Sequence, residues 1–309
     1  MKTHEVLTTA GHMAPRGTVR DLLALSHRRT ALLSVAQPGL AAVLAAGGLP
    51  NPRTLALGLM AATAGTLCLY AVHDLLDSGV DREIERRGPG TGRTGAAPRD
   101  RPLAQGSLTT GSALVWIVML AAAALGTAYA LRPACALIFL LCAAVEALYC
   151  SLRRTTWLKT LPAGAVVGLG GLAGWTAVRD PDRGAFLVVL LLAAWEIFGR
   201  NLANDLADLS LDRPLGIRTL ATTHGPVWSA RACAAGSLAM VPLALAQPGE
   251  LPLRALLAAV VVGTMTLPAI GLLRRPQESV AQAYYDRASL FPPAALGAAA
   301  FFFIAWGGA

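Results

Sequence analysis

Charge is scarce in this sequence. Asp, Glu, Lys and Arg make up only 14% of its 309 residues, while hydrophobic residues make up 55%. A soluble domain commonly carries about 25% charged residues, so a large soluble fold is excluded. Long polar breaks are also few. Apolar runs repeatedly reach the ~20 residues that a helix needs to cross a bilayer. The bilayer leaves only helices or a closed barrel, and long unbroken apolar runs select helices. Paired cysteines are missing: Cys68, Cys135, Cys142, Cys150 and Cys233 form no C-x-x-C pair and no His/Cys cluster. They read as small buried hydrophobes, not as a redox or zinc centre. The residues before Thr30 are polar and basic, without a short apolar stretch and small-residue cleavage site, so no removable signal peptide is expected.

What is present reads as an all-α integral membrane protein of about nine transmembrane helices. The expected spans are Thr30–Gly48, Thr54–Val72, Gly111–Leu131, Pro133–Cys150, Leu161–Val178, Gly184–Asn201, Pro226–Leu245, Leu251–Leu273 and Ser289–Trp306. A cytoplasmic tail, 1–29, precedes one membrane domain, 30–309. Basic residues set the orientation. Lys2, Arg16, Arg20, Arg28 and Arg29 lie in the tail, and Arg82, Arg86, Arg87, Arg93, Arg99 and Arg101 lie in the second connection. The fourth connection holds Arg153, Arg154 and Lys159, the sixth Arg213 and Arg218, and the eighth Arg274, Arg275 and Arg287. The odd-numbered connections carry few. The positive-inside rule therefore puts the N-terminus and the even connections in the cytoplasm. Most of the net charge of +8 sits in these membrane-flanking loops. Orientation and attraction to anionic membrane lipid account for it, and no nucleic-acid partner is implied. The long irregular connection 82–108, rich in Gly, Pro and Arg, reads as a functional loop.

Acidic residues are few but patterned. D-x-x-D-x-x-x-D occurs twice: Asp74, Asp77 and Asp81 end the second span, and Asp205, Asp208 and Asp212 end the sixth. On a helix, positions i, i+3 and i+7 share one face, so each motif makes a stripe of mutually repelling carboxylates. Facing lipid, they would cost about 2.5–3.5 kcal/mol each at the bilayer centre. They should instead face a hydrated cavity and a cation. Mg²⁺ suits them, since it binds one or two carboxylates together with substrate phosphates. Arg101, Arg153, Arg154, Lys159 and Arg218 can take the remaining phosphate oxygens. The plainer alternative is a pair of polar helix ends meeting the cytosol. Two motifs of identical spacing, each followed by a basic Gly/Pro-containing loop, argue against it.

The arrangement resembles the UbiA superfamily of intramembrane prenyltransferases, which carry two Asp-rich motifs on their second and sixth helices. Here His73-Asp74-x-x-Asp77-x-x-x-Asp81 is followed by Arg101-Pro-Leu-Ala-Gln-Gly106. Asn204-Asp205-x-x-Asp208-x-x-x-Asp212 is followed by Gly216-Ile-Arg218-Thr-Leu220. The stretch "LYCSLRRTTWLK" resembles a further family segment, L-Y-S…K. His73 stands where the family usually has Asn; it can donate to a phosphate oxygen or orient Asp74. The loop before Arg101 is longer than usual, which bears on how the site is covered. The resemblance implies Mg²⁺ held by all six aspartates and an isoprenyl diphosphate bound also by His73, Arg101, Arg153, Arg154, Lys159, Asn204 and Arg218. It further implies loss of pyrophosphate and capture of the allylic cation by an acceptor, commonly aromatic. Glu146, Tyr149, Trp195 and Phe198 are candidates for the cation and acceptor pocket; Glu196 is a further candidate to serve the acceptor, with a structural ion pair to Arg200 as its plainer alternative. A terpene cyclase of the same superfamily would use the same clamp without an acceptor. A cation-coupled transporter would need a path to both membrane faces, and the aspartates cluster on one.

Overall fold

The computed structural model describes residues 18–86 and 101–306. The early tail with Lys2 and Arg16, and the loop portion 87–100 with Arg87, Arg93 and Arg99, lie outside the described residues. The described chain is helical and holds no strand. Its helices are α1 (Val19–Leu25), α2 (Arg28–Ser34), α3 (Ala36–Ala46), α4 (Pro52–Arg86), α5 (Thr110–Leu131), α6 (Pro133–Leu152) and α7 (Thr160–Thr176). They are followed by α8 (Arg183–Ala207), α9 (Pro226–Leu245), α10 (Leu251–Arg274) and α11 (Glu278–Trp306). The starts are encoded locally. The Asp182 carboxylate accepts from the backbone N–H groups of Gly184 and Ala185 at the head of α8, and Thr109 Oγ1 accepts from Ser112 N at the head of α5. Pro133 and Pro226 sit in first turns, where the missing N–H costs nothing.

Each expected span is helical over most of its length. Seven described helices are long and apolar enough to cross a membrane, and the bent pair Val19–Leu25 with Thr30–Ala46 makes an eighth, broken by 49°. The fifth expected span, Leu161–Val178, is the 17-residue α7. At 1.5 Å per residue it reaches about 26 Å, short of the ~30 Å hydrocarbon core. A count of nine full-length spans is therefore not reproduced. Leu137, Val118 and Ile304 are among the large apolar side chains exposed on the outer surface, as a lipid-facing surface requires.

The buried core is made by α3 and α7 through α11, with Trp175, Trp195, Tyr284 and Phe291 its largest members. Close helix approach depends on small residues. A Cβ at Gly174 would overlap the backbone carbonyl of Pro38, so α7 crosses α3 with no side chain between them. A second cluster, Leu25, Ala71, Leu103, Leu108 and Ala113, packs α1 and the turn after residue 101 against α4 and α5.

Two departures position the site. α4 does not stop at Val72 but runs 35 residues, about 52 Å, and carries the whole first motif on one continuous helix. α8 contains a π-helical stretch, Trp195–Asn201, just before the second motif. Such bulges change which residues share a face. The second motif is also broken: Asp208 (φ −100°, ψ 12°) leaves the helix, and Asp212 ends a separate short helix, Leu209–Asp212. The single-stripe expectation holds for the first motif and not for the second.

Candidate active site

Both motifs converge at one cavity of about 800 Å³. Asp74, Asp77, Asp81, Asp205, Asp208 and Asp212 all line it, as do His73, Arg101, Glu146, Tyr149, Arg153, Lys159 and Asn204. The rest of the wall is mostly apolar, supplied by residues such as Leu69, Phe139 and Val166.

Each carboxylate of the first motif meets a basic side chain. Asp74 Oδ1 lies 2.7 Å from His27 Nε2. Asp77 is bonded to Arg153, and its Oδ2 lies 2.8 Å from His73 Nε2. Asp81 Oδ1 lies 3.2 Å from Arg101 Nε. His73 reaches across the cavity wall as well, with Nδ1 2.7 Å from Glu146 Oε1. Arg153 follows directly on the end of α6. Burial opposes its charge, but the Asp77 carboxylate outweighs that and holds the guanidinium above its ordinary value.

The second motif is less evenly matched. Lys159 Nζ donates to Asp205 Oδ1 at 2.8 Å, both side chains buried. Burial alone would depress the lysine; the Asp205 charge reverses this and pushes it up. Asn204 Nδ2 donates to Asp208 Oδ2 at 3.1 Å. Burial, then the nearby Asp205 and Asp208 charges, push the Asp212 carboxyl up to about 8. Asp205 Oδ2 is buried with no hydrogen-bond partner among the described residues. A buried bare oxygen, beside a carboxyl that burial and two neighbouring charges push up, fits a hard divalent cation.

Four expected site residues stand elsewhere. Arg154 points away from the cavity and pairs with Glu83 at 3.0 Å, half exposed. Arg218 is exposed, donating its backbone N–H to the Arg153 carbonyl at 2.9 Å and its side chain to the Thr155 carbonyl at 3.4 Å. Trp195 is buried in the bundle core, its indole N–H donating to the Ala288 carbonyl at 2.7 Å and its ring tilted against Phe291. Phe198 occupies the space that a Cβ at Gly236 would fill. The π-helical stretch turns these two aromatics inward and presents Glu196, Arg200 and Asn201 to the cavity instead. Arg200 bonds Glu196 at 3.2 Å and also the Tyr285 hydroxyl at 2.8 Å. His27 was not anticipated. It adopts φ 44°, a left-handed backbone that costs a non-glycine residue energy, and it reaches Asp74 from 47 residues away. No local sequence signal marks that pairing.

The UbiA prenyltransferase family profile matches residues 32–292. The chain belongs to this family. It is 29% identical over 237 residues to a digeranylgeranylglyceryl phosphate synthase of Halobacterium salinarum, covering 75% of this chain and 78% of that one. It is 31% identical over 208 residues to a 4-hydroxybenzoate solanesyltransferase of Synechocystis, covering 64% and 65%. Its fold matches that of a UbiA homologue from Archaeoglobus fulgidus bound to DMAPP and Mg²⁺, with TM-score 0.66 and 16% identity over 90% of this chain and 99% of the other. With its many apolar helices, this chain is an integral, multi-pass membrane protein of the UbiA prenyltransferase family.

Proposed function

We propose that this protein transfers an isoprenyl group from an isoprenyl diphosphate to a small aromatic acceptor inside the membrane, in a Mg²⁺-dependent reaction. The observation that carries the reading is the meeting of both aspartate motifs with Lys159, Arg153 and Arg101 at one end of a largely apolar cavity. The diphosphate lies at the charged end and the prenyl chain along the apolar wall. Mg²⁺ held by the two motifs would supply Lewis-acid charge against the leaving pyrophosphate. A homologue's structure with DMAPP and Mg²⁺ supports that ligand pair.

The chain's own residues do the rest. Lys159, Arg153 and Arg101 exchange aspartate partners for phosphate oxygens, stabilising charge that grows as the C–O bond breaks. His73 braces Asp77, and Asn204 braces Asp208. The apolar wall keeps water from the allylic cation. Tyr149 and Tyr285 stand on the cavity wall, and aromatic rings attract cations. When the acceptor carbon bonds the allyl carbon, its ring proton leaves to a carboxylate on the wall, Glu146 or Glu196. The orientation we assign puts the N-terminus and both motifs on the cytoplasmic side. The membrane domain runs from residue 30. An aromatic acceptor is supported by the name of the Synechocystis relative, against the glyceryl phosphate of the Halobacterium one.

The test is product analysis. Detergent-purified protein with Mg²⁺ is given geranyl, farnesyl or geranylgeranyl diphosphate, with and without hydroxybenzoate-type acceptors. The expected result is a prenylated aromatic, absent with Asp77→Ala. A terpene hydrocarbon or alcohol formed without acceptor would instead make the protein a cyclase.

A further inference from the structure

The first motif is followed across the cavity wall by a set of donors that the diphosphate chemistry does not use together. His73 Nδ1 lies 2.7 Å from Glu146 Oε1 and 3.7 Å from Cys150 Sγ, and Cys150 Sγ lies 3.9 Å from Glu146 Oε1. His73 and Glu146 line the cavity, and Cys150 is half-buried one turn along α6 from Glu146. An imidazole, a carboxylate and a thiol form a mixed set unlike the all-oxygen motifs. Mg²⁺ takes hard oxygen ligands, whereas thiolate and imidazole together select zinc-class ions.

We propose that His73, Glu146 and Cys150 form a second metal site, for a zinc-class divalent cation, on the cavity wall. The distances suit it. In tetrahedral zinc geometry N and O donors stand about 3.3 Å apart, and S stands about 3.6 Å from either. The two sulfur separations already fall near that, and the His73–Glu146 pair has to open by about half an ångström. A second observation points the same way. The other ring nitrogen of His73, Nε2, is held by Asp77 at 2.8 Å. That is the carboxylate–histidine pairing that fixes a metal-binding imidazole. Tyr149 stacks on the same ring, with centroids 5.8 Å apart and planes at 24°, and holds its plane. Binding replaces the hydrogen bond at Nδ1; the Cys150 thiol proton and the Nδ1 proton pass to solvent. Three protein donors leave one position open toward the cavity, as in zinc sites that keep a fourth place for water or substrate. An ion there engages His73, which braces the clamp residue Asp77, and ties up Glu146, so occupancy inhibits turnover.

Protein stripped with chelator and returned to excess Mg²⁺, which fills the oxygen sites, is titrated with Cd²⁺ while thiolate-to-cadmium ultraviolet absorption is followed. One equivalent should produce the band, Cys150→Ala should lose it, and Glu146→Gln should weaken binding by about tenfold or more. No band, or the same band in C150A, would overturn the site. Should C150A fail to fold, unchanged Cd²⁺ affinity in E146Q overturns it instead. In the turnover assay, Zn²⁺ should inhibit the wild type at least about tenfold more strongly than C150A, whose rate without Zn²⁺ is unchanged; equal inhibition contradicts the proposal. The absorption readout needs no turnover, so it stands or fails apart from the proposed function.

Discussion

Lys159 and Asp205 show what a single pair does at this site. Both side chains are buried, with the ammonium 2.8 Å from one carboxylate oxygen and the other oxygen bare. Removing one member of a buried pair strands the other charge, at about 3–5 kcal/mol. Lys159→Met should therefore lower the melting temperature markedly, and adding Asp205→Asn should restore most of the loss while leaving no turnover. Neighbours in sequence part company here. Arg153 reaches Asp77 in the cavity, while Arg154 reaches the exposed Glu83. Arg153→Ala should cut kcat/KM by about two orders of magnitude, typical of a lost transition-state donor. Arg154→Ala and Arg218→Ala should leave it within about twofold, because an exposed pair contributes little. The sequence could name this basic cluster but not sort it, since the sorting depends on where α6 ends. His27 was beyond reach for a similar reason: only the bend between α1 and α2 brings it to Asp74. The cysteines read correctly as buried at Cys68, Cys135, Cys142 and Cys233, while Cys150 differs only because His73 and Glu146 fold beside it.

At the scale of elements, period and spacing carried the first motif and failed on the second. α4 is unbroken, so three aspartates at helical spacing share a face. The second motif follows a π-helical stretch and is itself broken at Asp208, a break that no Pro or Gly marks, and the cavity gathers its aspartates by bending the chain. The same stretch exchanges Trp195 and Phe198 for Glu196 and Arg200 on the cavity wall. The apolar span pattern falls on a helix at every expected span, seven or eight of them long and apolar enough to cross a membrane, but it did not give the length of α7. Where α7 crosses α3, Gly174 leaves no room: Gly174→Ala should destabilise by at least about 2 kcal/mol, read as a lowered melting temperature, because backbone cannot yield as a side chain does. On the short helix that ends the second motif, the Asp212 carboxyl is pushed up to about 8. The folded protein then holds a proton there that the unfolded chain sheds near pH 4, so stability falls as pH rises across that window and the loss is complete above about pH 8. Mg²⁺ competes with the proton. Its stabilisation, measured as the shift in melting temperature, should be larger at about pH 8.5 than at about pH 6.

The described residues form an apolar helix bundle that brings all six motif aspartates, with Arg101, Arg153 and Lys159, to one cavity. Scarcity of charge elsewhere gives the six aspartates their meaning: in hydrocarbon they are costly, and around a hydrated cation with phosphates they are matched. The account's central claim is that the two motifs together form a Mg²⁺-dependent diphosphate clamp. The direct measurement is calorimetric binding of a non-hydrolysable isoprenyl diphosphate analogue to purified protein, in Mg²⁺ and in chelator, for the wild type, Asp77→Asn and Asp205→Asn. The account predicts tight binding in Mg²⁺ that chelator abolishes and that either single substitution weakens by at least about tenfold. Binding that is indifferent to Mg²⁺, or that survives the loss of either motif, would contradict it.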